Sequence, residues 1–268
     1  MATIRIATAA GPITVHYARP PRWKAPRCAL VVLHGRDREA ARYCAQWGRV
    51  ATKRGVLVAA PHFDEDRFPG WRGYNLGGML DRENAALPPR SWLFQTLADL
   101  AIEIRRAYDL SHVDLFGHSA GAQLLHRHVL FAPVLGYDRL IAANAGWYTV
   151  PNPKAPFPYG LCGAPAKAGL ARAFSRRLTL LVGAGDAEES HHALRHDRHA
   201  DAQGPTRLAR SLYFYKNAKA IAAERDLPFK WRMKILPAIG HSNAGVVPGA
   251  LELVLDHADV PDRRAVAL

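Results

Sequence analysis

Short apolar runs alternate with amphipathic stretches along most of the chain, and this alternation predicts strands and helices in turn. The run ALVVLHG at 29–35 is continuously aliphatic, as expected of a strand buried on both faces of a sheet. Further runs of this kind predict strands at 55–61, 113–117, 139–147, 178–186 and 231–241. Two shorter strands are predicted near the amino terminus, where apolar and polar residues alternate: Ile4 and Ile6, then Ile13, Val15 and Tyr17.

Apolar residues at helical spacing predict helices between the strands, at roughly 38–54, 91–108, 119–130, 205–225 and 247–258. Ser91 is predicted to cap the second of these helices at its amino end. Strands that alternate with helices favour an α/β fold with a mostly parallel central sheet and helices on both faces. In such sheets, ligands bind beyond the carboxyl ends of the strands.

One stretch, 148–177, has no clear periodicity and is rich in proline and glycine. This composition is typical of a surface excursion, and we expect a short, irregular cap segment over the sheet edge. The chain has 268 residues and no internal repeat or low-complexity linker, so 1–268 is predicted to be a single α/β domain.

Basic residues outnumber acidic ones by 36 to 23, which gives a formal net charge of +13. Such a charge could serve a polyanionic partner such as nucleic acid. The basic residues are, however, scattered along the chain without a dense block or a nucleic-acid-binding motif. We therefore interpret the charge as a solvated basic surface and expect no nucleic-acid partner.

The chain carries no signal for a membrane or for secretion. Its apolar stretches are shorter than a membrane span, and the amino terminus lacks the apolar core of a signal peptide. The cysteines Cys28, Cys44 and Cys162 are odd in number and widely spaced, which favours free thiols over disulfides. These features predict a cytoplasmic protein with no membrane partner.

The stretch VDLFGHSAGAQ places Ser119 between glycines, at a point where a predicted strand gives way to a predicted helix. The pattern G-x-S-x-G in this setting is typical of a nucleophile elbow, in which a sharp turn lifts a serine hydroxyl above the sheet. The amide of Ala120 would then lie at a helix amino terminus, where it can stabilise an oxyanion. The motif alone is weak, and the strand–helix context strengthens it.

A serine hydroxyl needs a base, and the base needs an acid to orient it. In this architecture, the acid and the histidine follow the serine in that order, each just after a later strand. Asp186 follows the strand TLLVG and His241 follows the last predicted strand, so both positions fit. Three more acids in the loop after Asp186 stay open as alternatives: Glu188, Glu189 and Asp197.

The remaining parts of the site are predicted from the other loops at the carboxyl ends of the strands. The second oxyanion donor should come from the loop after 29–35, where the amide of Arg36 is the first candidate and Gly35 the next. Aromatic residues in two loops could hold an apolar part of a substrate, and ordinary loop packing is the alternative: Trp71, Tyr74, Trp147 and Tyr148.

Several histidines in the loop after Asp186 could suggest a metal site: His191, His192, His196 and His199. If the segment is helical, His192, His196 and His199 would share one face, but no carboxylate–histidine signature accompanies them. A solvated loop is favoured, and we expect no metal. The stretch GAGD lacks the third glycine and the acidic partner of a dinucleotide site, so we expect no such cofactor either.

From ALVVLHG to GHSN, the chain resembles the α/β-hydrolase superfamily. Within it, the stretches GHSAGAQLLHR, ANAGWYTVP, FPYGL and ADAQGPTRLARS resemble the branch of poly(3-hydroxybutyrate) depolymerase-like esterases. The resemblance implies a Ser–His–Asp hydrolase of carboxylic esters, hydroxyalkanoate-type esters among them, without metal or organic cofactor. The histidine-rich segment after Asp186 departs from that pattern.

These observations predict a serine hydrolase that cleaves small-molecule or oligomeric esters through an acyl-enzyme on Ser119. Two alternatives stay open. The same residues would serve an amide or thioester hydrolase or an acyltransferase, because one triad acts on all these leaving groups. A basic binding protein built on an inactive hydrolase fold belongs to another class, and the intact order of serine, acid and histidine counts against it. The oligomeric state has no signature in the sequence.

Overall fold

A computed structural model describes residues 1–23, 27–133, 136–189 and 194–256. Strands within these ranges form one sheet in the order β1-β2-β4-β3-β5-β6-β7-β8. The first two strands and the β2–β4 pair are antiparallel, and the other pairs are parallel. The bounds are β1 Ala2–Ile6, β2 Ile13–Ala18, β3 Cys28–Leu33, β4 Val56–His62, β5 His112–His118, β6 Arg139–Ala143, β7 Leu178–Gly183 and β8 Arg232–Leu236.

The helices that connect the strands cover both faces of the sheet. In chain order they are α1 Ala40–Ala51, α2 Gly70–Gly73, α3 Leu93–Tyr108, α4 Ala120–Phe131, α5 Leu170–Phe174, α6 Arg198–Asp201, α7 Arg207–Glu224 and α8 Asn243–Leu255. One apolar core includes residues of α3, α4 and α7, and a second core, on the other face, includes residues of α1 and α8. The apolar run of β3 and the whole of β5, its polar residues included, are buried because both faces are covered.

The predicted α/β fold with a mostly parallel sheet is confirmed, and all eight predicted strands are present. Three short helices lie outside the predicted ones or inside the irregular stretch: α2, α5 and α6. The last helix begins at Asn243, several residues before the predicted start. The Ser242 hydroxyl caps it by accepting from the Gly245 amide, and Pro248 lies inside the helix. No helix among the described residues is long and apolar enough to cross a membrane.

The prediction that Ser91 caps α3 is wrong. The helix begins at Leu93, and the capping position is Trp92, whose side chain makes no capping bond. Ser91 instead ends a short 3-10 turn, and its hydroxyl donates to the Pro88 carbonyl at 2.8 Å. Two prolines before the serine favour that turn, so the helix begins only after it.

Several histidines lie buried in the protein interior: His34, His118, His126 and His128. Burial lowers the pKa of each, to about 3 for His34 and His128. Because the unfolded chain binds protons to these side chains below a pH of about 6.5, their stability contribution is complete above that pH and is lost as the pH falls toward the lowered pKa of each histidine in the folded protein. The fold should therefore be sensitive to acid.

We expect His128→Leu to weaken this sensitivity. Neither ring nitrogen of His128 has a hydrogen-bond partner among the described residues, so leucine forfeits no bond there. With a pKa lowered to about 3, His128 should account for about 2 kcal/mol of the stability lost between pH 7 and pH 5. Urea unfolding at both pH values measures the difference. An equal loss in the variant and in the wild type would show that His128 does not contribute.

Candidate active site

Ser119 lies at the corner between β5 and α4, in a backbone conformation that serine rarely adopts. Its φ is 53° and its ψ is −107°. Holding a non-glycine residue there costs on the order of 1–3 kcal/mol, which the surrounding packing must offset. The Ser119 amide donates to the Ala143 carbonyl at 2.9 Å, which holds the corner against β6. The hydroxyl is thus fixed above the carboxyl ends of the central strands.

The two glycines of the G-x-S-x-G pattern are required by close backbone contact. A Cβ atom on Gly121 would lie 2.6 Å from the Leu33 carbonyl oxygen of β3. A Cβ on Gly117 would collide with the backbone of Gly121 itself. The helix can therefore start directly over the strand, which is what turns the Ser119 side chain outward.

Three side chains from separate loops meet at this corner. The Ser119 hydroxyl oxygen lies 3.2 Å from Nε2 of His241, and Nδ1 of His241 lies 2.8 Å from Oδ2 of Asp186. A carboxylate only accepts, so Nδ1 carries the ring proton and Nε2 is free to accept from serine. The Asp186 side chain is buried, whereas His241 is 14% exposed. The arrangement has the geometry of a serine hydrolase triad.

Asn144, at the end of β6, ties the acid loop to the histidine loop. Its side-chain oxygen accepts from the Gly183 amide at 3.0 Å, and its amide group donates to the Gly240 carbonyl at 3.3 Å. The Gly185 amide also donates to the Ile239 carbonyl at 2.9 Å. These bonds hold the residues before Asp186 and His241 at a set distance.

Asp186 also contacts a cation. Nη1 of Arg207, in the first turn of α7, lies 3.3 Å from Oδ1 of Asp186, the oxygen that does not face His241. Both side chains are at most 2% exposed. Burial lowers the pKa of the Arg207 guanidinium, and the Asp186 carboxylate opposes that effect. A buried carboxylate is costly without such a partner.

A second histidine packs against the first. The His118 and His241 rings have centroids 4.8 Å apart and lie 36° from parallel. His118 is buried, and Nδ1 lies 2.9 Å from the Tyr43 hydroxyl. Burial lowers the pKa of His118 well below its usual range, and the neighbouring His241 and Arg207 lower it further. His118 is therefore uncharged where it packs against the His241 ring.

The three alternative acids lie elsewhere. Asp197 caps α6, pairs with Arg195 at 2.7 Å and accepts from the Tyr159 hydroxyl. Burial raises its pKa, but hydrogen bonds from Tyr159, the Ala200 amide and Arg195 outweigh burial and lower the pKa to about 2. Two further acids are exposed: Glu188 and Glu189. Of the four acids considered, the structure brings only Asp186 to His241.

Solved structures with this architecture include close relatives. One is poly(aspartic acid) hydrolase-1 from Sphingomonas sp. KT-1, which is 34% identical over 95% of this chain and 98% of that chain, with a TM-score of 0.89. Another is LpqC, a poly(3-hydroxybutyrate) depolymerase from Bordetella parapertussis, 32% identical over 99% of this chain and 93% of that chain, with a TM-score of 0.85. The chain belongs to the depolymerase-like branch of the α/β-hydrolase superfamily. No family model and no curated protein matches it.

In this depolymerase-like hydrolase, the loop after β3 is held by buried polar contacts. Nε2 of His34 accepts from the Phe63 amide at 3.1 Å, and the Tyr74 hydroxyl donates to the His34 carbonyl at 2.9 Å. Of the predicted oxyanion donors, Ala120 is the first residue of α4 and Arg36 lies in the loop after β3. The neighbouring Gly35 lies close to the serine corner, since a Cβ atom built on it would be 3.9 Å from the Ser119 Cβ. The Arg36 side chain is exposed and lies 3.5 Å from Asp37.

The four aromatics predicted to line a pocket divide into two groups. Tyr74 and Tyr148 are at most 1% exposed, and their hydroxyls bond to the His34 carbonyl and to Ser211. They present no surface to a substrate. Tyr74 instead supports the loop after β3, and Tyr148 supports α7. Trp147 is also buried, at 3% exposure, whereas Trp71 is half-buried, and the two rings contact each other edge to face with centroids 5.9 Å apart.

The paired tryptophans belong to a cationic cluster near the sheet's carboxyl end. The guanidinium of Arg195 lies 4.6 Å from the Trp71 ring centroid and 5.3 Å from that of Trp147. Arg127, fully buried, lies 4.1 Å from the Trp147 centroid. The Arg195 side chain is partly exposed, so the cluster presents a positive charge framed by aromatic faces.

The stretch ADAQGPTRLARS, noted above for resemblance alone, has a structural role in the hydrolase. Gln203 accepts from the Tyr148 amide at 2.9 Å and donates to the Tyr148 carbonyl at 2.7 Å. Arg210 donates to the Gly146 carbonyl at 2.8 Å. Arg207 reaches Asp186, as described. The stretch therefore fastens α7 to the loop after β6 and to the acid, and sequence reasoning missed these contacts.

The histidine-rich loop gives no sign of a metal centre where it is described. His196 bonds to Asp201 and to the Glu189 carbonyl, and His199 stacks on Tyr159. Within the described ranges, no group of three potential ligands is close enough to hold an ion. Two of the four histidines, His191 and His192, lie outside the described residues.

Proposed function

We propose that the chain is a carboxylic ester hydrolase that works through an acyl-enzyme on Ser119. The observation that supports the proposal most is the unbroken chain of contacts from the serine hydroxyl through His241 to Asp186, at 3.2 and 2.8 Å. Membership of a hydrolase branch supports the same reaction class. Hydroxyalkanoate esters are the first substrates to test, since LpqC is named for one such polymer.

In the acylation step, Nε2 of His241 takes the hydroxyl proton while the Ser119 oxygen bonds to the acyl carbon. The carbonyl oxygen becomes an oxyanion, which the amides of Ala120 and Arg36 would stabilise. The intermediate then collapses, and the leaving alcohol takes the proton from Nε2. In the second step, a water molecule attacks in the same way and releases the carboxylic acid and free Ser119.

Asp186 acts only through the histidine. It accepts the Nδ1 proton, keeps the tautomer that leaves Nε2 available, and stabilises the imidazolium that forms in each step. The second ring, His118, packs against His241 and is kept neutral by burial. It thus limits ring rotation without competing for the proton.

An amide hydrolase is the second candidate, and one relative favours it. Poly(aspartic acid) hydrolase-1 is named for a polymer of amide-linked, negatively charged units, and it is 34% identical to this chain. A net charge of +13 would attract such a polyanion. The same triad can release an amine in place of an alcohol.

A substrate panel separates the two candidates. We expect chromogenic acyl esters of increasing chain length to be hydrolysed with kcat/KM at least about tenfold above matched amides, because an alcohol is a better leaving group than an amine. Matched thioesters complete the panel. The assay should include oligomeric 3-hydroxybutyrate and poly(aspartic acid) at low and high salt. Preference for poly(aspartic acid), with activity that falls as salt rises, would replace the ester proposal with the amide candidate.

A binding protein on an inactive fold is the least supported alternative. Its expected signs are no turnover of any ester, amide or thioester, together with salt-dependent binding of nucleic acid. The contact between Ser119 and His241 argues against it, because an inactive fold has no need of a strained serine beside a base.

A further inference from the structure

The Asp186 carboxylate has two partners, and the mechanism above uses only one of them. Oδ2 faces Nδ1 of His241 at 2.8 Å, while Oδ1 faces Nη1 of Arg207 at 3.3 Å. The side chains of Arg207 and Asp186 are 1% and 2% exposed, so solvent screens neither charge. The acid of the triad is therefore a bridge between the base and a buried cation.

We propose that Arg207 is a positioning residue that sets the pH range in which His241 can act as a base. It does so through Asp186, whose carboxylate it holds and whose charge it partly balances. The inference rests on the proposed function, since it assigns a role within the same triad.

The physical basis is the charge of the Asp186–His241 pair. Adding one proton to the pair gives either an imidazolium or a neutral carboxylic acid. Either product is one charge more positive than before and lies beside the Arg207 guanidinium. The cation therefore opposes protonation of the pair whichever residue takes the proton, and it keeps the base available at lower pH.

The backbone around Arg207 makes this contact rigid. Arg207 is the first residue of α7, and Thr206 caps that helix by accepting from the Ala209 amide at 3.1 Å. The Leu208 amide donates to the backbone carbonyl of Asp186 at 3.1 Å. The first turn of α7 thus contacts both the main chain and the carboxylate of Asp186.

Other charged or titratable groups surround the bridge, and each has a defined place. His118 packs on His241 and is kept neutral by burial. Tyr148 lies within electrostatic range of Asp186, and its pKa is raised well above the usual range, mainly by burial, so it stays neutral. Glu188 and Arg210 both act on Arg207 from further along the loop and the helix. Among these groups, Arg207 is the cation that lies within hydrogen-bond distance of the Asp186 carboxylate.

The test is the pH dependence of Ser119 labelling by a fluorophosphonate probe, a reaction that needs the free base but no natural substrate. We expect Arg207→Gln to move the midpoint of the acidic limb to higher pH by about 0.5 to 1 unit, as loss of a charge several ångströms away predicts. Arg207→Lys keeps the charge, and its midpoint should stay within about 0.3 unit of the wild type.

Arg210 provides a matched control. It is a fully buried arginine three residues further along α7, and it pairs with Asp201 at 2.8 Å. Arg210→Gln should lower thermal stability as Arg207→Gln does, but should leave the midpoint unchanged. A purely structural role of Arg207 would give both variants the same unshifted profile, and that result would overturn the proposal.

Failure of Arg207→Gln to fold would still leave the coupling measurable. The double variant Asp186→Asn with Arg207→Gln should melt at a higher temperature than Asp186→Asn alone, because it buries no unpaired cation. A lower melting temperature for the double variant would refute the coupling. Absence of labelling in the wild type would count against the proposed function instead, so the two failures are distinguishable.

Discussion

Replacing Ser119 by alanine is expected to abolish ester hydrolysis, with a loss in kcat of at least about 10⁴. The substitution removes the atom that bonds to the acyl carbon, so the two-step route through an acyl-enzyme is closed. Only oxyanion stabilisation and substrate binding would remain to accelerate attack by water. Initial rates with the best chromogenic ester of the panel measure the loss.

Ser175→Ala is the matched control for this variant. Ser175 is exposed, lies before β7 at the opposite end of the sheet, and donates to the Arg172 carbonyl at 2.9 Å. Its substitution should leave kcat within about twofold of the wild type. Wild-type turnover by the Ser119 variant would show that hydrolysis does not pass through this serine.

Asp186→Asn should lower kcat by at least about 10² while the protein stays folded. In the serine-protease template, the corresponding change costs about 10⁴, or about 5 kcal/mol, because an amide favours the wrong histidine tautomer. Here the variant also leaves the Arg207 guanidinium without its carboxylate, so a lower melting temperature should accompany the loss. Circular dichroism at the assay temperature separates the catalytic effect from unfolding.

The three other acids of that loop are the controls. Each change to the amide, Glu188→Gln, Glu189→Gln and Asp197→Asn, should cost less than about tenfold, because the acid of His241 would be untouched. Asp197→Asn should instead reduce stability, since it removes the ion pair with Arg195, although asparagine can still cap α6. If Asp186→Asn left kcat unchanged and a variant of Glu188, Glu189 or Asp197 lost most of it, that other residue would be the acid of the triad.

The fold could be predicted because its central strands are rich in apolar residues. β3 is buried on both faces and carries no polar side chain, and in β5 the buried Asp114 is paired with Arg139. The meeting of Ser119, Asp186 and His241 follows from the same logic, since parallel strands direct their carboxyl ends to one edge of the sheet. Order along the chain and distance from a strand end favoured these three, but Glu188, Glu189 and Asp197 stayed open as acids, and it is the structure that brings Asp186 to His241.

Contacts between buried polar groups could not be predicted in this way. Arg207 is 21 residues from Asp186 along the chain. Nothing in the sequence distinguishes it from the many solvated arginines, because its burial results from the packing of α7 on the sheet. For Tyr74 and Tyr148, the sequence left open a place in a pocket beyond the strand ends or ordinary packing within their loops. In the structure both tyrosines are buried, and their hydroxyls bond to the His34 carbonyl and to Ser211.

The most direct measurement of the central claim is to map the site of fluorophosphonate labelling by mass spectrometry of the digested protein. The probe captures the serine whose proton a neighbouring base removes, so the mass increase should lie on the peptide that contains Ser119 and should vanish in Ser119→Ala. The His241→Ala variant should label at a rate lower by at least about 10². Labelling of a different residue, or equal labelling of the wild type and the His241 variant, would contradict the account.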